Sequence, residues 1–191
     1  MLRVFDDVLP EGVFQELREE VFDEKTPWYF LNDSAYSDKY WEPGQSSFYN
    51  TIYLDGEVES SKKDFFEKIV NVLLMQTNTS IDTLYRIRLG LHVSSSSSVP
   101  NKAHIDDERP HTVGLLYLND SDGDTLIYKE KYDPREGLGA VDSFKKLDSL
   151  TISDRITPRA NRLVIFDGHT YHASSTPTYP SSRRTLNFNF V

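Results

Sequence analysis

Two short segments of the sequence carry residue types that could bind one metal ion. His104-Ile105-Asp106 places an imidazole and a carboxylate two residues apart, and on a strand such side chains point to the same face. Farther along the chain, His169 and His172 offer a third ligand. Two histidines and one carboxylate leave three positions open on octahedral iron, which suits oxygen chemistry at Fe(II). Zinc fits less well, because it prefers a closed, near-tetrahedral set of ligands.

The C-terminal segment that begins at Arg183 could bind a carboxylate. Its residues alternate strictly between two faces, as in a strand. Such a polar face can simply be exposed to solvent, but inside a barrel it would line a polar cavity. Arg183 would then clamp a carboxylate through two hydrogen bonds, with the Thr185 hydroxyl as a second donor. One face carries Arg183, Thr185, Asn187 and Asn189, and the other carries Arg184, Leu186, Phe188 and Phe190.

The elements that must position these residues are short strands in residues 81–191. Many short strands separated by turn signals are typical of a β-sandwich or barrel. The five consecutive serines Ser94 to Ser98 form a loop, and residues 130–149 interrupt the rhythm as an insertion. We predict strands at 83–93, 111–118, 124–129, 150–156, 162–166 and 183–191.

Residues 1–80 read as a helix, an aromatic loop and a second helix. Apolar residues at helical spacing predict helices over 10–23 and 60–77. The intervening segment, 26–54, is rich in aromatic residues, including Trp28 and Trp41. It is interpreted either as a lid that contacts substrate or as an irregular surface segment held by its aromatic side chains.

Length and composition limit the protein classes. A chain of 191 residues is enough for one domain, so 1–191 is predicted to be a single domain with a support region (1–80) and a core (81–191). The absence of cysteine excludes disulfides, thiolate metal sites and cysteine nucleophiles. A net charge of −9 argues against nucleic-acid binding. No apolar run or basic leader suggests a membrane or secretory signal, so we expect a cytoplasmic protein.

Residues Tyr85 to Val191 resemble the Fe(II)- and 2-oxoglutarate-dependent dioxygenases, in particular their prolyl-hydroxylase-like branch. The similar pieces stand in the order of that family. Departures include Asn161, where a glycine is common, and the length of the stretch 130–149. The pieces are His104-x-Asp106, Gly114–Asn119 followed by Asp122–Thr125, Ile156–Phe166, His172, and Arg183-x-Thr185.

The resemblance implies a mainly β protein with N-terminal helices, built as a double-stranded β-helix, or cupin-like jelly roll. It implies that His104, Asp106 and His172 bind Fe(II), and the spacing to the arginine favours His172 over His169. It further implies that Arg183, Thr185 and Tyr117 bind 2-oxoglutarate. Arg183 is favoured over Arg184 by the Arg-x-Thr pattern.

The activity implied is hydroxylation of an unactivated C–H bond with formation of succinate and carbon dioxide. The partners would be 2-oxoglutarate, dioxygen and a primary substrate, with ascorbate as an accessory reductant. The substrate class stays open among a protein side chain, an amino acid and a small metabolite, and so does the oligomeric state. Two alternatives are a non-catalytic β-helix binding module and a cupin-type metal enzyme without 2-oxoglutarate, which would have no use for Arg183.

Overall fold

The computed structural model describes residues 1–31, 47–136, 150–179 and 182–191. These residues form eleven strands, two α-helices and one 3-10 helix at Pro134–Glu136. The α-helices are α1 (Glu11–Phe22) and α2 (Lys63–Gln76). The strands are β1 (Leu2–Phe5), β2 (Tyr29–Leu31), β3 (Ser47–Leu54), β4 (Glu57–Val58), β5 (Leu84–Val93), β6 (Thr112–Tyr117), β7 (Thr125–Lys131), β8 (Ile152–Ile156), β9 (Arg162–Asp167), β10 (Thr170–Ser174) and β11 (Ser182–Phe190).

The strands form two antiparallel sheets. The larger has the order β1-β9-β6-β11-β5-β3-β2, with β4 paired to β3, and the smaller has the order β10-β7-β8. Isolated bridges join Pro100 to Ser175 and His104 to His172, so the segment before β6 lies along the edge of β10. The strands thus make two facing sheets, and the predicted double-stranded β-helix is confirmed.

Apolar side chains fill two layers, one on each face of the larger sheet. The layer between the sheets joins β6 and β9 to β7 and β8. The other layer joins the outer face of the larger sheet to both helices, which bury Leu17 and Leu73 completely. The inner layer consists of Val113, Leu115, Tyr117, Ile127, Ile156, Val164 and Phe166.

Strand β11 separates these two layers, as its alternating sequence predicts. Leu186, Phe188 and Phe190 belong to the same core cluster as the helices. Arg183 and Thr185 are buried on the opposite face. Because successive strand residues point to opposite faces, one register places the whole apolar set on the helices and the whole polar set inside the barrel.

The first 80 residues contribute strands as well as helices, which differs from the helix–loop–helix interpretation. β1 pairs with β9 and β3 pairs with β5, so both regions share the larger sheet. Residues 32–46, with Trp41, lie outside the described residues. Trp28 is half-buried and packs against the helical core cluster, in keeping with an aromatic that anchors its segment. The single domain over 1–191 stays a prediction.

Asn161, the departure from the family's glycine, lies in a left-handed backbone conformation with φ 63°. Asparagine tolerates this region better than most residues. Its side chain accepts a hydrogen bond from the Leu9 amide at 2.9 Å and donates to the Leu9 carbonyl at 2.8 Å. The residue therefore makes the turn before β9 and also ties it to the segment that leads into α1.

The insertion after β7 begins with the 3-10 helix Pro134–Glu136, and residues 137–149 lie outside the described part. Neither α1 nor α2, the α-helices of the described residues, has the length and apolar character needed to cross a bilayer.

Candidate functional site

His104 and His172 are brought together by backbone pairing. The His104 amide donates to the His172 carbonyl at 2.9 Å, and the His172 amide donates to the His104 carbonyl at 2.9 Å. Directly opposed residues in an antiparallel bridge project to the same face. The two imidazole rings accordingly lie 4.6 Å apart between centroids.

The two histidines direct the same ring nitrogen towards Asp106. Nδ1 of His104 lies 3.1 Å from the Lys102 carbonyl, and Nδ1 of His172 lies 3.2 Å from the Thr170 carbonyl. A protonated Nδ1 held in this way leaves the lone pair on Nε2. The Nε2 atoms of His104 and His172 lie 3.8 Å and 3.9 Å from Asp106 Oδ1.

These three side chains fit one metal ion. Their ligand atoms all lie within 4.8 Å of one another. The distances from Nε2 to Oδ1 are too long for hydrogen bonds, so the three atoms converge on a common point and do not satisfy each other. Two imidazoles and one carboxylate are the donor set of non-haem Fe(II) sites.

Electrostatics keep Asp106 and His172 in the protonation states that bind metals. Burial would raise the pKa of the Asp106 carboxyl, but the adjacent Arg86 guanidinium and the two imidazoles hold that pKa well below its ordinary value. Burial and the neighbouring His104 lower the pKa of His172 to about 4. A carboxylate and a neutral imidazole are the forms that coordinate metals.

A second set of buried polar groups lies at Arg183, which is 2% exposed. Its Nη2 donates to Thr125 Oγ1 at 2.6 Å, and the Tyr117 hydroxyl donates to the same oxygen at 2.7 Å. Arg183 and Thr125 line a cavity of about 110 Å³ together with Thr185 and the three candidate metal ligands. Tyr117 does not line it, but its hydroxyl contacts Thr125 and its ring centroid lies 5.4 Å from Cζ of Arg183.

The start of β11 is fixed by the last residue of the Gly114–Asn119 segment. Asn119 accepts a hydrogen bond from the Arg184 amide at 2.9 Å and donates to the Ser182 carbonyl at 2.9 Å. These bonds hold the backbone on both sides of Arg183. Arg184 itself points to α1, where its Nη1 donates to the Val21 carbonyl at 3.1 Å.

The cavity wall beside β11 comes from β5, its hydrogen-bonded neighbour in the larger sheet. Arg86, Arg88, Gly90 and His92 share one face of that strand and line the cavity. Burial and the positive charges of Arg183 and Arg88 lower the pKa of His92 to about 3. His92 is therefore neutral at physiological pH.

The structure separates the remaining histidines from the site. Nε2 of His169 lies 2.9 Å from the Glu108 carbonyl, and its ring contacts Tyr132. His111 is buried beneath Gly168, where an added Cβ would lie 2.2 Å from His111 Nε2. Neither histidine lines the metal cavity.

The sequence assigned no role to four residues of this site. Thr125 belongs to the quoted Asp122–Thr125 motif but signalled no role of its own. Arg86 stands on the polar face of β5, where an arginine is ordinarily solvated, and only the closure of the barrel buries it. Asn187 and Asn189 continue the polar face of β11, and that alternation was the one signal that pointed to them.

Comparison with solved structures identifies the same fold in other proteins. The α-ketoglutarate-dependent epimerase SnoN from nogalamycin biosynthesis superposes with a TM-score of 0.69 at 14% identity, covering 100% of this chain and 78% of that chain. A prolyl hydroxylase from Trichoplax adhaerens, solved with a peptide of hypoxia inducible factor, gives 0.63 at 12%, covering 99% and 82%. A prolyl-4-hydroxylase from Pseudomonas putida gives 0.61 at 16%, covering 99% and 91%.

No family model matches the sequence, and no curated protein sequence matches it. The identities to the solved structures are low, so the likeness concerns architecture. It extends over the full length of this chain, including the helices and β1 to β4. The protein therefore has the double-stranded β-helix fold of the Fe(II)- and 2-oxoglutarate-dependent oxygenases, the prolyl hydroxylases among them.

Proposed function

We propose that this protein is an Fe(II)- and 2-oxoglutarate-dependent dioxygenase that hydroxylates an unactivated C–H bond of a protein side chain, an amino acid or a small metabolite. The observation that carries the proposal is the presence of two sites in one cavity. His104, Asp106 and His172 offer a metal site, and Arg183 with Thr125 offers a carboxylate site. A binding module or a metal enzyme without 2-oxoglutarate needs only one of them.

In this proposal His104, Asp106 and His172 hold the iron. Arg183 binds the distal carboxylate of 2-oxoglutarate, with the hydroxyls of Thr125 and Thr185 as additional partners. Burial strengthens this interaction, because an arginine that water does not solvate gains more from an anionic partner. When bound, iron and 2-oxoglutarate together supply the oxidation, in which dioxygen is consumed and succinate and carbon dioxide are released.

Tyr117 positions this carboxylate site. Its fully buried hydroxyl donates to Thr125 Oγ1, which fixes the threonine rotamer at the cavity wall. Burial raises the pKa of the Tyr117 phenol, so it stays a hydrogen-bond donor throughout the physiological range. The resemblance assigned Tyr117 to 2-oxoglutarate, and the hydrogen bond to Thr125 supports an indirect role.

Solved structures with the same fold support iron and 2-oxoglutarate as cofactors. The reactions named for these structures differ, so the fold does not define one reaction outcome. SnoN was crystallised in complex with Fe³⁺, α-ketoglutarate and nogalamycin RO. The fold also serves a carbocyclase, SnoK, as well as the prolyl hydroxylases. Hydroxylation is the outcome we propose, since it needs no group beyond those in the cavity.

The test measures succinate in purified protein supplied with Fe(II), 2-oxoglutarate and dioxygen, beside calorimetric binding of 2-oxoglutarate to protein loaded with Mn(II). We expect binding at one site per chain and slow succinate formation without added substrate. Both should be lost in His172→Ala and on addition of a chelator. Absence of metal-dependent 2-oxoglutarate binding, or succinate formation that His172→Ala leaves unchanged, would refute the proposal.

A further inference from the structure

A buried arginine outside the carboxylate site contacts a metal ligand directly. Arg86 on β5 is 8% exposed, and its Nη2 lies 2.8 Å from Asp106 Oδ2. The same nitrogen donates to Asn187 Oδ1 at 2.9 Å. Arg86 thus links the loop that carries Asp106 to the sheet that forms the cavity wall.

Two asparagines of β11 complete the surroundings of that carboxylate oxygen. Asn187 Nδ2 donates to Asp106 Oδ2 at 3.4 Å. With its amide oriented so that Nδ2 faces the acceptors, Asn189 donates to Asp106 Oδ2 at 3.2 Å and to Asn187 Oδ1 at 3.1 Å. Asn189 is 2% exposed, so these bonds are shielded from water.

The two oxygens of Asp106 therefore have different environments. Oδ2 receives donors from Arg86, Asn187 and Asn189, while Oδ1 faces Nε2 of both histidines. The donors sit on neighbouring strands, because Asn189 pairs with Arg86 in the register of β11 and β5. The sheet itself, and not a flexible loop, holds the orientation of the carboxylate.

We propose that Arg86 is a positioning residue which, with Asn187 and Asn189, presents a single oxygen of Asp106 to the metal. This inference rests on the proposed metal site. Loss of the guanidinium would free Oδ2 to turn towards the ion and occupy a second coordination position. Partners of this kind fix the orientation of metal ligands, and their removal typically weakens metal binding by about 10- to 100-fold.

A guanidinium near a cation also repels it, so the two effects oppose each other. Repulsion alone predicts tighter metal binding when Arg86 is neutralised, whereas loss of orientation predicts weaker binding. We expect orientation to dominate, because the removal of Arg86 leaves a buried carboxylate without its strongest partner. The sign of the change in affinity therefore distinguishes positioning from simple repulsion.

The experiment titrates Co(II) into the intact metal-free protein and records affinity by calorimetry and the visible absorption spectrum. Arg86→Met should weaken Co(II) binding by about 10- to 100-fold and change the spectrum, since a two-oxygen carboxylate alters the coordination number. Arg86→Lys keeps the positive charge but not the planar guanidinium, and it should bind Co(II) more tightly than Arg86→Met does. Asn189→Ala should give a smaller loss in the same direction.

Arg162→Met is the matched control. Arg162 also pairs with an aspartate, in its case Asp6 through two bonds of 2.6 Å and 2.9 Å, but it lies away from the cavity. The Arg162→Met variant should bind Co(II) with the affinity and spectrum of the unaltered protein. Circular dichroism and Tm of each variant identify any loss of fold, in which case Arg86→Lys and Asn189→Ala carry the test.

Affinity and spectrum that are unchanged in the folded Arg86 and Asn189 variants, or tighter binding in Arg86→Met, would overturn the positioning role. The proposed function fails separately: the unaltered protein would then bind no Co(II), or His172→Ala would bind it equally well.

Discussion

Arg183 and Arg184 are neighbours in sequence whose side chains meet different surroundings. Arg183 lines the metal cavity and contacts Thr125. Arg184 lies 4.0 Å from the centroid of the Phe22 ring and donates to the Val21 carbonyl. The pair therefore offers an internal comparison in which the same chemical change affects either the cavity or the helix contact.

Arg183→Leu should raise the 2-oxoglutarate concentration needed for half-maximal succinate formation by at least about a hundredfold. The reason is that one-sided loss of a buried charge pair costs about 3–5 kcal/mol. Mn(II) binding should persist, because Arg183 touches no metal ligand. Arg184→Leu should leave the 2-oxoglutarate requirement unchanged and lower stability by about 0.5–1 kcal/mol. The reverse pattern would mean that the register of β11 is shifted by one residue.

His172 and His169 allow a second comparison. His172→Ala should abolish Co(II) binding at stoichiometric metal, because it removes one of three protein ligands. His169→Ala should keep stoichiometric binding, because its ring contacts Glu108 and Tyr132 outside the cavity. Calorimetry with both variants checks this, and loss of binding in His169→Ala alone would contradict the assignment.

His92 makes the stability of the metal-free protein depend on pH. Its pKa is about 3 in the fold and about 6.5 in the unfolded chain. Below pH 6.5 His92 is protonated in the unfolded chain but stays neutral in the folded protein. The free energy of unfolding therefore falls as the pH falls from 6.5 towards 3. His92→Gln should remove about 1–2 kcal/mol of the loss in unfolding free energy between pH 7 and pH 5. Urea unfolding of the unaltered protein and of His92→Gln at both pH values measures this difference. Equal losses of unfolding free energy in the two proteins would contradict the role of His92.

At the scale of elements, the contact between β6 and β11 depends on a glycine. A Cβ at Gly114 would lie 2.2 Å from Cζ of Phe188, its partner in the strand pairing. Gly114→Ala should therefore lower the free energy of unfolding by about 1–3 kcal/mol through overpacking. Gly12→Ala in α1 is the control, since nothing lies within 4 Å of its Cβ position. It should be neutral or stabilise by up to about 1 kcal/mol. Chemical unfolding measures both changes, and equal effects would contradict the packing argument.

Elements with a clear period were predictable, and elements defined by their neighbours were not. β11 alternates over its whole length, and α1 buries Phe14, Leu17 and Val21 at helical spacing. β10, which carries His172, has a polar sequence without alternation. It is a strand because β7 and the segment around His104 pair with it. The sequence of β3 likewise predicts part of an aromatic loop, and its pairing with β2 and β5 makes it a strand.

At the scale of the whole molecule, the candidate metal ligands were predictable because few residue types bind iron and their order resembles a known family. The contacts around them were not. Arg86 meets Asp106, and Arg183 meets Thr125, only because the two sheets close into a barrel. The cavity is also more basic than the net charge of −9 suggests: its described lining holds three arginines and one carboxylate. Such a cavity favours an anionic cosubstrate.

The central claim is that one cavity holds both a metal ion and 2-oxoglutarate. A crystal structure of the protein grown without oxygen in the presence of Mn(II) and 2-oxoglutarate tests it most directly. We expect one Mn(II) bound by Nε2 of His104, Nε2 of His172 and Oδ1 of Asp106, with the distal carboxylate of 2-oxoglutarate on Arg183. Metal bound elsewhere, or 2-oxoglutarate without contact to Arg183, would contradict the account.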